Sequence, residues 1–138
     1  MLMSAGKPKD MSMRLNHLDL HVPDVARTAA VLTEHFGLRQ EFARDGLVVL
    51  RDDASLELVI SEPVPGFGTT DQLSVGAATY HIGFIVDAPE IVDEIYVRLG
   101  SADVQLARPP RAIRGGWLFY CTIPGGIQVE VGCRSIPA

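Results

Sequence analysis

Four side chains stand out by type and position: His17, Glu57, His81 and Glu130. Each sits between apolar neighbours in an alternating run, so each points to the face opposite Leu18, Leu58, Ile82 and Val129. A lone strand histidine or glutamate is ordinarily just the wet side of a sheet. Here two histidines open matching halves of the chain and two glutamates occupy matching closing runs, Leu56-Glu57-Leu58 and Val129-Glu130-Val131. Two imidazoles with two carboxylates suit one divalent cation of borderline or harder character: nickel, zinc, cobalt, manganese or iron. A metal with open positions binds adjacent oxygens of a substrate and stabilises the negative charge that develops on them, which serves proton transfer, addition or ring opening.

The elements that must position these groups follow from the spacing. Residues 15–22 alternate as a strand, and Asp24 then caps a helical run through Val25, Ala29, Leu32 and Phe36 that stops at Gly37. Short strands are predicted at 39–44, 47–51 and 56–61, with turns at Asp45-Gly46 and Asp52-Asp53. Residues 62–78, broken by Pro63, Pro65, Gly66, Gly68 and Gly76, read as a linker. The grammar then repeats: a strand over 80–87, a helix over 89–99 stopped by Gly100, and strands near 104–107, 116–122 and 127–132. This is an α+β fold of two βαβββ modules, 15–61 and 79–133, in one domain spanning 15–133 with tails at 1–14 and 134–138. Such a duplicated unit can place its sheets side by side and curl them around a shared concave face, with the helices covering the outer faces.

Composition narrows the partners. With 138 residues, 47% hydrophobic and 21% charged, the chain is sized and composed for one globular core. A net charge of -5 offers no basic stripe for phosphates, so no nucleic acid is expected. No run is long and apolar enough for a signal peptide or span, so a cytoplasmic protein without membrane attachment is expected. Cys121 and Cys133 are too few for a disulfide framework and are expected as buried free thiols.

Around the four ligands, further residues are candidates for a small-molecule substrate. His21 shares the face of His17, and Phe67 lies in the linker where it can cover a ligand. Arg111 and Arg114 precede Gly115-Gly116 and suit an anionic group. Trp117 and Phe119 alternate with Leu118 and Tyr120, so one pair faces the concavity and the other packs inside. Trp117 is taken as a substrate contact.

The runs LNHLDLHVPD, YHIGFIVD and PGGIQVEVG, with their spacing over roughly 15–133, resemble the vicinal oxygen chelate superfamily of glyoxalases, bleomycin resistance proteins and extradiol dioxygenases. The resemblance implies that His17, His81 and Glu130 are metal ligands and that Glu57 is the fourth ligand of glyoxalase I. It also implies a cup-shaped mixed sheet and a homodimer, with each site formed either within one chain or across the two. A glyoxalase- or epimerase-like lyase or isomerase would use an enediolate, with Glu57 or Glu130 carrying the proton. The alternative, an extradiol ring-cleaving dioxygenase, draws on FYCTIPGGIQVEVG and makes Tyr120 catalytic. Three departures count against it: Arg111 and Arg114 stand where a histidine-bearing segment would be expected, Ile123 precedes the proline where that motif has a polar residue, and the additional acid-base histidine is missing. A non-catalytic drug-binding protein of the bleomycin resistance type would typically lack the metal ligands, all of which are present here.

Overall fold

The computed structural model describes Met13 and residues 15–62 and 81–138. The first module runs β1 (His17–His21), α1 (Val25–His35), β2 (Arg39–Arg44), β3 (Leu47–Arg51) and β4 (Glu57–Ser61). Asp24 caps α1 by accepting a hydrogen bond from the Arg27 amide at 3.1 Å, which satisfies one of the first-turn donors. The strands form a mixed sheet in the order β1-β4-β3-β2, with β1 and β4 parallel and the remaining pairs antiparallel.

The second module runs β5 (His81–Ile85), α2 (Pro89–Leu99), β6 (Gln105–Leu106), β7 (Arg111–Ile113), β8 (Gly116–Ile123) and β9 (Ile127–Cys133). Its sheet follows β5-β9-β8-β6, with β7 also paired to β8 and β5 parallel to β9. Four strands therefore follow α2 where three were expected. Residues 111–113 are too short to display an alternation. They become a strand because Arg111, Ala112 and Ile113 pair with Leu118, Trp117 and Gly116 across a turn in which Arg114 and Gly115 take positive φ.

The two sheets turn their helix-facing sides into one core. Leu20, Val22, Leu50 and Ile60 from the first sheet join Phe119, Ile123, Val129 and Val131 from the second, with Leu32 and Val92 from the helices. Burying ten such side chains contributes roughly 1.5–3 kcal/mol each, which is what holds the modules together. The join is also specific. The Thr28 hydroxyl on α1 donates to the Pro124 carbonyl at 2.8 Å, and the Arg27 guanidinium grips Asp103 at 2.6 and 2.8 Å. Gly125 has φ +96°, and a Cβ there would lie 2.7 Å from Val22, so the tip of the β8–β9 hairpin fits the first module only as glycine.

One consequence for function follows from this packing. Because both helix-facing sides meet in a single core, the opposite faces of both sheets point outward. The polar rows of the two modules lie on two separate sheets. The expected tail at 1–14 lies outside the described residues except for Met13, as does most of the 62–78 linker. Among the described residues no helix is long and apolar enough to cross a membrane.

Candidate functional site

The four sequence-predicted ligands fall into two pairs. In the first sheet His17 on β1 is the register partner of Glu57 on β4, so strand alternation puts both side chains on the outward face. Its imidazole Nδ1 meets the Asn16 side-chain oxygen at 3.1 Å, which leaves Nε2 as the free ring nitrogen. In the second sheet His81 on β5 and Glu130 on β9 approach directly, Nε2 to Oε1 at 3.3 Å, with the carboxylate side chain only 14% exposed. Among the described residues no three histidine, cysteine, aspartate or glutamate side chains converge as a metal-binding group. Each pair offers one imidazole and one carboxylate, donor types that suit a divalent cation.

Tyr120 completes the His81 half. It pairs with Glu130 across the antiparallel β8–β9 ladder, and its ring meets the His81 imidazole edge-on at a centroid distance of 5.3 Å. The phenol is pushed above its ordinary pKa, first by burial and then by the charge and hydrogen bonding of Glu130, while Arg114 and Arg111 pull the other way. It is held protonated at neutral pH, as a hydrogen-bond donor.

A cavity of about 330 Å³ opens beside this group, lined by His81, Glu130, Leu118, Ile85, Arg114 and Arg134. The floor is kept low by Gly132, where a Cβ would lie 2.7 Å from the Leu118 side chain. Arg111 and Arg114, expected to meet an anion, stand near Tyr120, and neither forms an ion pair among the described residues. The sequence reading missed Arg134. It lies just beyond β9 and reaches the cavity only because that strand crosses the middle of the sheet.

The expectation for Trp117 is corrected. Trp117 sits opposite Cys133 in the ladder, and its indole N–H donates to Asp93 on α2 at 2.8 Å, so the ring lies on the helix side. Leu118 and Tyr120 are the pair that faces outward. Phe67 lies outside the described residues.

On the first sheet His21 is the register partner of Ser61 and borders a small pocket of about 200 Å³ with Asp19 and Glu62. The buried Ser61 hydroxyl donates to Asp19 at 2.6 Å. Beside His17 and Glu57 in the same row stands Arg51, directly opposite Glu57 in the β3–β4 ladder. Its Nη2 donates to Glu57 Oε2 at 2.6 Å and its Nε to Glu41 Oε2 at 2.5 Å. Arg51 holds the Glu41 carboxyl below its ordinary pKa, chiefly by that hydrogen bond. Arg51 and Glu41 were not singled out from the sequence, although a hairpin joining 47–51 to 57–61 already places residue 51 across from residue 57.

An α+β pair of βαβββ modules carrying one His–Glu pair on each outward sheet face defines a recognisable class. The profile of the Glyoxalase/Bleomycin resistance protein/Dioxygenase superfamily matches residues 14–131, and the chain belongs to that superfamily. Among solved structures it is similar to a possible glyoxalase from Bacillus cereus, at 29% identity and a TM-score of 0.72, covering 88% of this chain and 100% of that one. It is also similar to the genomically encoded fosfomycin resistance protein FosX of Listeria monocytogenes, at 25% identity, TM-score 0.70, with 89% and 94% of the two chains covered. A lactoylglutathione lyase from Agrobacterium tumefaciens, at 20% identity and TM-score 0.69 over 88% and 94% of the chains, shares the fold. No curated protein sequence matches the chain.

Proposed function

We propose that this protein is a divalent-metal-dependent enzyme that acts on a small oxygenated substrate by glyoxalase- or epimerase-like proton transfer, as a cytoplasmic homodimer. The observation that carries this reading is the split of the four ligands into matched pairs, His17 with Glu57 and His81 with Glu130, on the outward faces of the two sheets. Two copies related by a two-fold axis can set the first face of one against the second face of the other, which makes two equivalent sites. His17, Glu57, His81 and Glu130 would hold nickel, zinc, cobalt, manganese or iron there. When bound, the cation supplies Lewis-acid stabilisation of charge on the substrate oxygens.

The chain's own groups then divide the remaining work. Glu57 or Glu130 accepts and returns the proton, since both are carboxylates beside the reacting oxygens. The protonated Tyr120 phenol hydrogen-bonds Glu130 and so orients that carboxylate beside the cavity. Arg114 and Arg134, which line the cavity, bind an anionic end of the substrate with Arg111 nearby, while Leu118 and Ile85 exclude water from it. His21 extends the polar lining of the facing sheet.

A second reading, ring-cleaving dioxygenation, is favoured by one contact: Tyr120 lies against both His81 and Glu130. Elemental analysis of protein purified without oxygen or chelators separates the readings. Near-stoichiometric nickel, zinc or cobalt, lost in His17→Ala and in Glu130→Ala, supports proton transfer. Iron supports the dioxygenase. Absence of metal even after reconstitution overturns both and leaves a drug-sequestering protein, which binds its ligand unchanged without metal.

A further inference from the structure

Arg51 is the best-anchored charged group on the outward face of the first sheet. Its guanidinium meets three acceptors: Glu57 Oε2 at 2.6 Å, Glu41 Oε2 at 2.5 Å and the Ser55 carbonyl at 3.1 Å. The third acceptor is presented by an unusual backbone. Ser55 has φ +81°, a conformation that residues with a Cβ seldom adopt. The turn is fixed by Asp52, whose carboxylate accepts from the amides of Ala54 and Leu56, both at 2.9 Å. The strained residue thus stands two positions before Glu57 and aims its carbonyl at the group that grips Glu57.

We propose that Arg51, anchored by Glu41 and the Ser55 carbonyl, is a positioning residue that occupies Oε2 of Glu57 and so leaves Oε1 as the atom offered to the metal. The inference rests on the metal reading above and assigns it a part outside the ligand set. A carboxylate that binds a metal through one oxygen is oriented by a hydrogen bond to the other, and loss of such a partner commonly weakens metal binding by about 10–100-fold. A planar guanidinium suits this task because its fixed fork reaches two carboxylates and a carbonyl at once. Glu41 also cancels the charge that Arg51 brings beside a cation, so the Glu41, Arg51 and Glu57 group keeps a net charge of about −1.

That charge balance dictates the test. Arg51→Met alone would leave two unpaired carboxylates and raise cation affinity by simple attraction. The double variant Glu41→Gln/Arg51→Met instead removes one charge of each sign. Co2+ is titrated into the metal-free full-length protein and its affinity read by competition with a chelator, alongside the visible absorption of the bound ion. The double variant is expected to bind Co2+ about 10–100-fold more weakly, with an altered absorption band. Arg51→Lys, which keeps the charge and loses the fork, is expected to fall between it and wild type. Thermal melting of the metal-free proteins identifies a variant that fails to fold, and Arg51→Lys then decides alone. Unchanged or tighter binding by the double variant, or wild-type affinity and spectrum in Arg51→Lys, overturns the positioning role while leaving the metal reading intact. Wild-type protein that takes up no Co2+ overturns the metal reading, and this inference with it.

Discussion

Nε2 of His81 stands 3.3 Å from Oε1 of Glu130, although the two residues are not ladder partners: His81 faces Gln128, and Glu130 faces Gly83. The diagonal passes Gly83, where a Cβ would meet Glu130 only at 3.9 Å. The contact brings one imidazole and one carboxylate together on neighbouring strands. The matching His17–Glu57 pair lies on the other sheet with its back to the same core. The proposed shared site requires both pairs, which subunit exchange between variants can test.

His17→Ala and Glu130→Ala proteins are each expected to bind no metal tightly as homodimers. Mixed and allowed to exchange subunits, they form heterodimers in which one site has lost both side chains and the other is intact. An equal mixture should therefore regain about a quarter of the wild-type metal content and activity. Recovery is measured by metal analysis and turnover after co-refolding. No recovery on demonstrated heterodimer formation would mean that each site is built within one chain.

Arg114 and Arg134 line the cavity beside Glu130 without an ion-pair partner among the described residues, in a chain whose net charge is -5. If they bind an anionic end of the substrate remote from the reacting oxygens, Arg114→Ala and Arg134→Ala should raise KM severalfold to about tenfold each while changing kcat little. The effect should shrink as ionic strength rises, because both side chains meet solvent. A fall in kcat with unchanged KM would place them at the reacting atoms instead.

Much of this arrangement was legible in the residues. The alternation around His17 and His81 gave the strand faces, and Gly37 and Gly100 marked the helix ends within a residue. The βαβββ repeat placed the ligands on matching strands. What alternation cannot supply is which way the modules pack, because it fixes a residue's face but not what the opposite sheet does. The division of the ligands into two outward pairs depends on contacts such as Thr28 with Pro124, which are 96 residues apart. Trp117 shows the same limit. Its strand offered two faces rich in aromatic rings, and the choice was made by Asp93 on a helix that no local pattern connects to it. Arg51 escaped notice because its importance lies in register and in the turn at Ser55, not in its neighbours along the chain.

Burial pushes the Cys121 thiol from an ordinary 9.0 up to about 12. A raised pKa means that the folded state holds the proton more tightly than the unfolded chain. The associated stability is present below about pH 9 and is lost as pH rises toward 12, at roughly 1.4 kcal/mol per pH unit for one proton. Urea unfolding of wild type and Cys121→Ala at pH 8 and pH 10 isolates this effect, since the other alkaline groups are common to both. The wild type should lose more stability over that interval than the variant, and native Cys121 should resist alkylation at pH 8. Equal losses would show that the thiol is not held protonated by the fold.

The join between modules makes the last prediction. Thr28 is fully buried, and its hydroxyl donates to Pro124 at 2.8 Å, with the Asp24 carbonyl also near at 3.1 Å. Thr28→Val keeps the shape and removes the donor, leaving the Pro124 carbonyl without that partner at the edge of the core. The expected cost is about 1–3 kcal/mol, read as a lower urea midpoint with an unchanged slope. Gly125→Ala should cost more than the few tenths that a tolerant surface site would show. The new methyl group meets Val22 at 2.7 Å, and the backbone there already holds φ +96°. Both residues lie outside the strands that carry the two pairs, Thr28 on α1 and Gly125 in the β8–β9 turn, yet they set how the two modules share one core. If that core fixes the direction of the outward faces, Gly125→Ala should also weaken metal binding in protein that remains folded, whereas Thr28→Val should not. Wild-type stability in both variants would mean that the hairpin tip merely rests on α1 and that the modules are held by the remaining core alone.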